Sequence, residues 1–183
     1  MDIVLIWIPL TMRLRVVSFL LILLLCACTP ETPASSPSPA VTPTLPHSSH
    51  LCIGQTSPRQ IATVVDVIDG DTIEVDLDGD TYRVRYIGMD TPERDRPFYE
   101  EATAVNAELV EGQPVLLVTD VSETDRYDRL LRYVFVGDTF VNFELVNQGY
   151  AAAVTFPPDV ACEGVFRLAE ADARSRGLGL WAP

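Results

Sequence analysis

The chain has 183 residues, of which 48% are hydrophobic, and its formal net charge at pH 7 is −13. Its 13 basic residues are all arginine and stand against 26 acidic ones. This excess of negative charge argues against a protein that binds nucleic acid over a wide surface, because such binding needs many cationic contacts to phosphates. A small cleft of locally positive charge is still compatible with it.

The N-terminal segment is typical of an export signal. A pair of arginines precedes a short apolar run that ends in Leu-Cys-Ala-Cys at residues 25–28, which resembles a lipobox. A plain signal peptide and a membrane anchor are the alternatives, although the run is short for a membrane-spanning helix. We expect residues 1–28 to be a lipoprotein signal with Cys28 as the lipidated residue. Residues 1–11 are either a start-site artefact or an apolar extension of the membrane segment. The mature protein would face outside the cytoplasm, lipid-anchored at the cell envelope.

Residues 29–58 are dominated by Pro, Ser, Thr and Ala. Such a composition cannot bury a core and predicts a semi-extended tether between the anchor and a folded domain at residues 59–183. His47 and His50 lie in this tether and are the only histidines of the chain. The folded domain therefore has no histidine for catalysis or metal binding.

The folded domain reads as short strands followed by helices. Turns with the sequence Asp-Gly-Asp separate the first three apolar runs, which favours hairpins. Strands are predicted at residues 61–69, 72–77, 80–89, 114–120 and 130–136. Helices are predicted at residues 98–111, 142–148 (with Asn142 as the cap) and 164–176. The simplest architecture is α+β and mainly β: a five-stranded OB-like barrel with three helices.

Two cysteines remain after the lipidation segment, Cys52 and Cys162. In an exported protein such a pair suggests a disulfide, which would join the N-terminal edge of the domain to the region before the last helix. Two separate buried thiols are the alternative.

Several polar residues of the domain would be able to act on a phosphodiester. Asp71 and Asp90 offer hard oxygen ligands, which suit calcium or magnesium and not zinc. Arg85 and Arg129 offer planar forks that match phosphate oxygens, and Glu93 can deprotonate water. Taken singly, each of these patches is better explained as surface ion pairs on turns.

The order of the motifs favours the catalytic interpretation, because together they resemble the thermonuclease (staphylococcal-nuclease-like) family. The resemblance covers roughly residues 61–183 and is carried by VIDGDT (67–72), YRVRYIGMDTPE (82–93), TDRYDRLLRYVF (124–135), NQGYA (147–151) and LGLW (178–181). It implies an OB-like barrel and calcium-dependent hydrolysis of DNA and RNA that leaves 3′-phosphate ends. We expect a monomer.

The same resemblance implies a metal site for Ca²⁺. Asp71 and Asp90 match the metal carboxylates of the family. Thr91 matches the residue whose backbone carbonyl completes the site. Asp69 matches an acidic residue beside the metal.

The resemblance further implies that Glu93 is the general base and that Arg85 and Arg129 bind the phosphate. Tyr127 matches a tyrosine that helps to hold a terminal phosphate. Asp128 stands where the family usually has glycine. It is able to adopt a left-handed backbone, but its charge beside Arg129 is expected to lower substrate affinity more than to change the mechanism. The lysine-rich surfaces typical of the family's type member are absent, because the chain contains no lysine. Their absence predicts weaker, more salt-sensitive binding or a preference for short substrates.

The competing interpretation is a non-catalytic OB-type module that binds an oligonucleotide or a protein partner. The barrel alone would support it, because a fold does not fix a function. The complete set of arginines, carboxylates and base favours the enzyme, since a binding module has little need of a general base beside a metal site.

Overall fold

The computed structural model describes residues 52–183. The predicted signal segment, Cys28 and the part of the tether up to residue 51 lie outside the described residues. Within the described part, no helix combines the length and the apolar character needed to span a membrane.

Five main strands form a closed barrel, as predicted. They are β1 (Arg59–Val67), β2 (Thr72–Leu77), β3 (Asp80–Tyr86), β5 (Pro114–Val118) and β6 (Leu130–Val136). Three two-residue strands that were not predicted accompany them: β4 (Met89–Asp90), β7 (Thr139–Phe140) and β8 (Ala152–Ala153). The main sheet has the order β3-β2-β1-β5-β6-β7, and a parallel pairing between β3 and β6 closes it.

The β2–β3 hairpin shows how the local sequence sets the barrel. Ile73 and Val75 of β2 are completely buried and alternate with polar residues, as expected of a strand with one face on the core. The hairpin turns at Asp78 and Gly79, whose φ angles of 59° and 94° suit a two-residue turn with left-handed central residues. The resulting register places Thr72 opposite Arg85.

Three helices pack on the barrel: α1 (Tyr99–Val110), α2 (Val141–Asn147) and α3 (Glu163–Ser175). A 3₁₀ turn over Gly179–Trp181 follows them. The amphipathic helix α3 buries one face, and its Phe166 packs 5.6 Å from the ring centre of Phe140.

The prediction that Asn142 caps the second helix is wrong. Helix α2 begins one residue earlier, and Asn142 lies inside it, fully buried. Its Oδ1 accepts the N–H of Val134 at 2.9 Å, and its Nδ2 donates to the carbonyl of Ile87 at 3.0 Å. Asn before a helical pattern is the usual signature of a cap, but here its hydrogen bonds join α2 to β6 and to the segment that follows β3.

Cys52 and Cys162 form a disulfide that spans 110 residues of sequence. Cys162 lies directly before α3, and Ile53 beside Cys52 is buried in the core. On the chain-entropy account, a cross-link of this span removes about 4–5 kcal/mol of freedom from the unfolded chain. The bond thus fixes the chain before β1 to the start of the last helix.

Candidate active site

A cavity of about 510 Å³ opens at one end of the barrel. Its walls come from four parts of the chain: the turn before β2, the segment from the end of β3 to Glu93, the loop before β6 and the loop before α3. The predicted residues that line it are Asp69, Asp71, Arg85, Asp90, Glu93, Tyr127 and Arg129. The fold therefore brings together predicted residues that are up to 60 positions apart in the sequence, from Asp69 to Arg129.

Arg85 lies at the centre of one wall, between two carboxylates. Its Nε is 3.1 Å from Asp71 Oδ1, and one terminal nitrogen is 2.6 Å from Asp90 Oδ1. The other terminal nitrogen donates to the carbonyls of Tyr86 at 2.6 Å and Met89 at 3.0 Å. These contacts fix the plane of the guanidinium before any substrate binds, which lowers the entropic cost of using it.

The two carboxylates are held by the backbone around them. Asp71 is buried, and its Oδ2 accepts the N–H and the hydroxyl of Thr91 at 2.9 and 3.0 Å. Asp90 belongs to β4, which pairs with β8 through Asp90 and Ala152. Thr91 itself does not line the cavity, but it orients Asp71 from behind. The small β4–β8 pairing therefore positions Asp90, and no local sequence pattern predicted it.

The carboxylates of this wall crowd one another. Burial raises the pKa of Asp90, Arg85 lowers it, and the charges of Asp71 and Glu93 raise it, so the pKa lies above its ordinary value. Burial and the charge of Asp71 also raise the pKa of Asp69. Its Oδ1 accepts the N–H of Asp71 at 3.0 Å.

This crowding and the hard oxygen donors fit a cation such as calcium. Two side chains, a backbone carbonyl and water would form the site. Between residues 52 and 183, no group of three or more Asp, Glu, His or Cys side chains converges to hold a metal.

The loop before β6 presents Arg129 to the cavity. Asp125 Oδ2 accepts its Nε at 2.8 Å and a terminal nitrogen at 2.7 Å, while Oδ1 accepts the backbone N–H of Tyr127 at 2.8 Å. Although burial raises the pKa of Asp125, these hydrogen bonds hold it below its ordinary value. Asp128 adopts φ 61°, so the left-handed turn expected there is present.

Two guanidinium groups lie near the ring of Tyr127. The guanidinium carbons of Arg126 and Arg129 are 4.7 and 5.6 Å from its ring centre. Arg126 also donates to the Tyr127 hydroxyl at 2.7 Å. The tyrosine and Arg126 are both exposed at the cavity and are accessible to a ligand.

Two residues that the sequence analysis did not single out form hydrogen bonds to the loop before β6. Asp159 is buried, lines the cavity and accepts the N–H groups of Val121 and Ser122 at 3.0 and 2.8 Å. Arg132 is fully buried and donates to the backbone carbonyl and the carboxylate of Glu123. The only sequence signals were an Asp after a Pro-Pro pair and an Arg in an apolar strand. The first pattern is typical of turns, and the second becomes informative only when the strand is known to be buried.

Comparisons with known proteins point to one family. The family model described as staphylococcal nuclease homologue matches residues 83–183. The thermonuclease of Staphylococcus intermedius is 36% identical over 121 residues, which cover 63% of this chain and 72% of the relative. The thermonuclease of Staphylococcus hyicus is 35% identical over 130 residues, 68% and 77% of the two chains. Endonuclease YncB of Bacillus subtilis is 37% identical over 123 residues, 63% and 58%.

Proposed function

The chain belongs to the staphylococcal nuclease family and is a nuclease, and from this premise we propose that it hydrolyses DNA and RNA with calcium as cofactor, leaving 3′-phosphate ends. The observation that carries the proposal is the convergence of Arg85, Glu93 and Arg129 with two carboxylates on one cavity. In-line attack of water on a phosphodiester requires these groups: a base, cations for the phosphate and a place for a divalent metal.

Calcium would be held by the carboxylates of Asp71 and Asp90, by the backbone carbonyl of Thr91 and by water. Asp69 would support the site through its hydrogen bond to the Asp71 N–H. When bound, the ion would supply positive charge that stabilises the anionic transition state.

The side chains of the cavity would divide the rest of the reaction between them. The Glu93 carboxylate accepts a proton from water as the water oxygen forms a bond to phosphorus. The bond from phosphorus to the 5′-oxygen breaks, and that oxygen leaves as a hydroxyl after taking a proton from solvent. The product strand then ends in a 3′-phosphate.

Arg85 and Arg129 would bind the non-bridging oxygens throughout this step. The transition state carries more negative charge on these oxygens than the substrate does, so the two forks bind it more tightly. Arg85 is fixed by Asp71, Asp90 and two carbonyls, and Arg129 by Asp125. Such preorganisation is the main source of catalysis that the side chains offer. Tyr127 would hold a terminal phosphate on the same wall.

The end groups of the products test this assignment. A 5′-labelled oligonucleotide digested in calcium should give fragments whose mobility changes on treatment with a phosphatase that removes 3′-phosphates. Fragments with 3′-hydroxyl and 5′-phosphate ends would contradict the proposed direction of attack. A chemically synthesised 3′-phosphate ladder serves as the standard.

We also propose that the protein is exported and held at the cell envelope by a lipid on Cys28, with residues 29–58 as the tether of a monomeric domain. The support is the lipobox-like sequence at residues 25–28 and the composition after it. The variant Cys28→Ser should fail to incorporate radiolabelled palmitate and should leave the membrane fraction. Cys26→Ser is the matched control and should stay lipidated. Equal labelling of the wild type and the Cys28→Ser protein would contradict the anchor.

A further inference from the structure

Most arginines of the described domain are neutralised by a carboxylate. Ion pairs involve Arg83, Arg85, Arg129, Arg132, Arg167, Arg174 and Arg176. Within residues 52–183, the arginines that form no ion pair are Arg59, Arg94, Arg96 and Arg126. In a chain with a net charge of −13, these unpaired cations are the places where a polyanion meets uncompensated positive charge.

Three of these unpaired cations lie at the catalytic cavity or closely follow one of its lining residues in the chain. Arg126 lines it on the Tyr127 side. Arg94 and Arg96 do not line the cavity, but both are exposed in the turn that begins at Glu93, which does line it. The guanidinium carbon of Arg94 lies 5.7 Å from the ring centre of Tyr99. The N–H of Arg96 donates to the carbonyl of Glu93 at 3.0 Å, so the turn brings the backbone of Arg96 next to that of Glu93. Among the four, Arg59 alone is elsewhere, in a separate hollow with Asp138.

This placement differs from that of the arginines on the last helix and at its C-cap. Arg167, Arg174 and Arg176 each have a carboxylate four residues away, at Glu163, Glu170 and Asp172. A paired charge loses most of its field beyond a few ångströms in salt, whereas an unpaired one attracts a phosphate within about 8–10 Å. The uncompensated positive charge of the described residues is therefore concentrated at the cavity and in the turn after Glu93, with Arg59 as the exception.

We propose that Arg94 and Arg96 form a second phosphate-binding site, which holds the phosphate adjacent to the scissile one on the Glu93 side. The inference rests on the proposed nuclease function and extends it. In this arrangement Arg85 and Arg129 bind the scissile phosphate, Arg126 lines the same cavity beside Tyr127, and the Arg94–Arg96 pair follows Glu93 at its edge. The enzyme would then grip a single strand over a few phosphates, which resolves the conflict between its acidic composition and a polyanionic substrate.

A charge-matched pair of double variants tests this site. Arg94→Gln with Arg96→Gln is compared with Arg167→Gln with Arg176→Gln, which removes the same charge from exposed positions on α3. The first variant should raise KM for an oligonucleotide about tenfold or more, because each arginine contributes a charge-assisted contact. Its kcat should stay within about twofold. The slope of log(kcat/KM) against log salt should fall by about 0.7 for each phosphate that the variant no longer binds. The α3 variant should match the wild type.

Substrate length gives a second readout. Oligonucleotides are lengthened one nucleotide at a time on one side of the scissile bond. With the wild type, KM should fall in a single step, when the added nucleotide supplies the phosphate that the second site binds. That step should vanish in the Arg94–Arg96 variant and persist in the α3 variant. Equal KM values, salt slopes and length steps in the two double variants would overturn the inference while leaving the nuclease function intact.

A direct measurement of oligonucleotide binding distinguishes a failure of the second phosphate site from a failure of the proposed nuclease function. Fluorescence anisotropy of a labelled oligonucleotide in calcium is measured with Glu93→Gln proteins that carry each double variant. If the wild type does not cleave, the nuclease proposal fails. The anisotropy still decides the inference: a loss of affinity confined to the Arg94–Arg96 variant supports it, and equal affinities refute it.

Discussion

Replacing Glu93 by glutamine should lower kcat for phosphodiester cleavage by about 10³-fold, within the range of 10²–10⁴ that a general base contributes. Glutamine keeps the shape of the side chain but cannot accept the proton of the attacking water. KM should change little, because the phosphate is bound by Arg85 and Arg129. Initial rates on a labelled single-stranded oligonucleotide at saturating calcium measure both constants.

The matched control is Glu100→Gln, which makes the same change of charge at an exposed position in the first turn of α1. It should retain the wild-type rate. Both proteins should unfold at the wild-type temperature, since Glu93 is also exposed. A Glu93→Gln enzyme that keeps more than a tenth of kcat would show that another group accepts the proton.

Replacing Gly88 by alanine should lower the free energy of unfolding by about 3–5 kcal/mol, the combined cost of backbone strain and overpacking. Gly88 has φ +81°, and a Cβ atom there would lie 2.1 Å from Cε2 of Phe166. Phe166 is buried against Phe140 and Tyr133 and has no room to withdraw. The backbone must shift instead. Urea unfolding followed by circular dichroism measures the loss.

The variant Gly112→Ala separates the two parts of this cost. Gly112 also has a positive φ, +67°, but no atom lies within 4 Å of its added Cβ. It should lose only about 1–2 kcal/mol, the strain of a left-handed non-glycine residue. If both variants lose the same amount, the clash with Phe166 is not real. Because Gly88 directly precedes β4, its alanine variant should also disturb Asp90 and lower activity.

The strands were predictable because their patterns are local. The β2–β3 hairpin follows from alternating apolar residues and an Asp-Gly turn. The parallel pairing of β3 with β6 was not predictable in the same way, since it joins Val84 to Leu130 across an intervening helix. Two-residue strands such as β4 and β8 carry too few residues for any periodicity.

The catalytic residues of the candidate site were predicted from the order of the motifs. The residues that hold the surrounding loops in place were not predicted. Asp71, Arg85 and Glu93 stand out because their residue types suit phosphate chemistry. Asp159 and Asn142 look in sequence like an ordinary turn residue and an ordinary helix cap. Their roles depend on tertiary contacts, with Val121 and Ser122 in the first case and with Ile87 in the second.

The most direct test of the proposed function is the degradation of single-stranded DNA by the purified protein at low salt, in calcium and in EGTA. Rapid cleavage in calcium that stops in EGTA and returns when calcium is restored is the predicted result. Cleavage that is equally fast in EGTA would contradict the metal site at Asp71 and Asp90. No cleavage by a folded protein in calcium would contradict the assignment of this cavity as a nuclease active site.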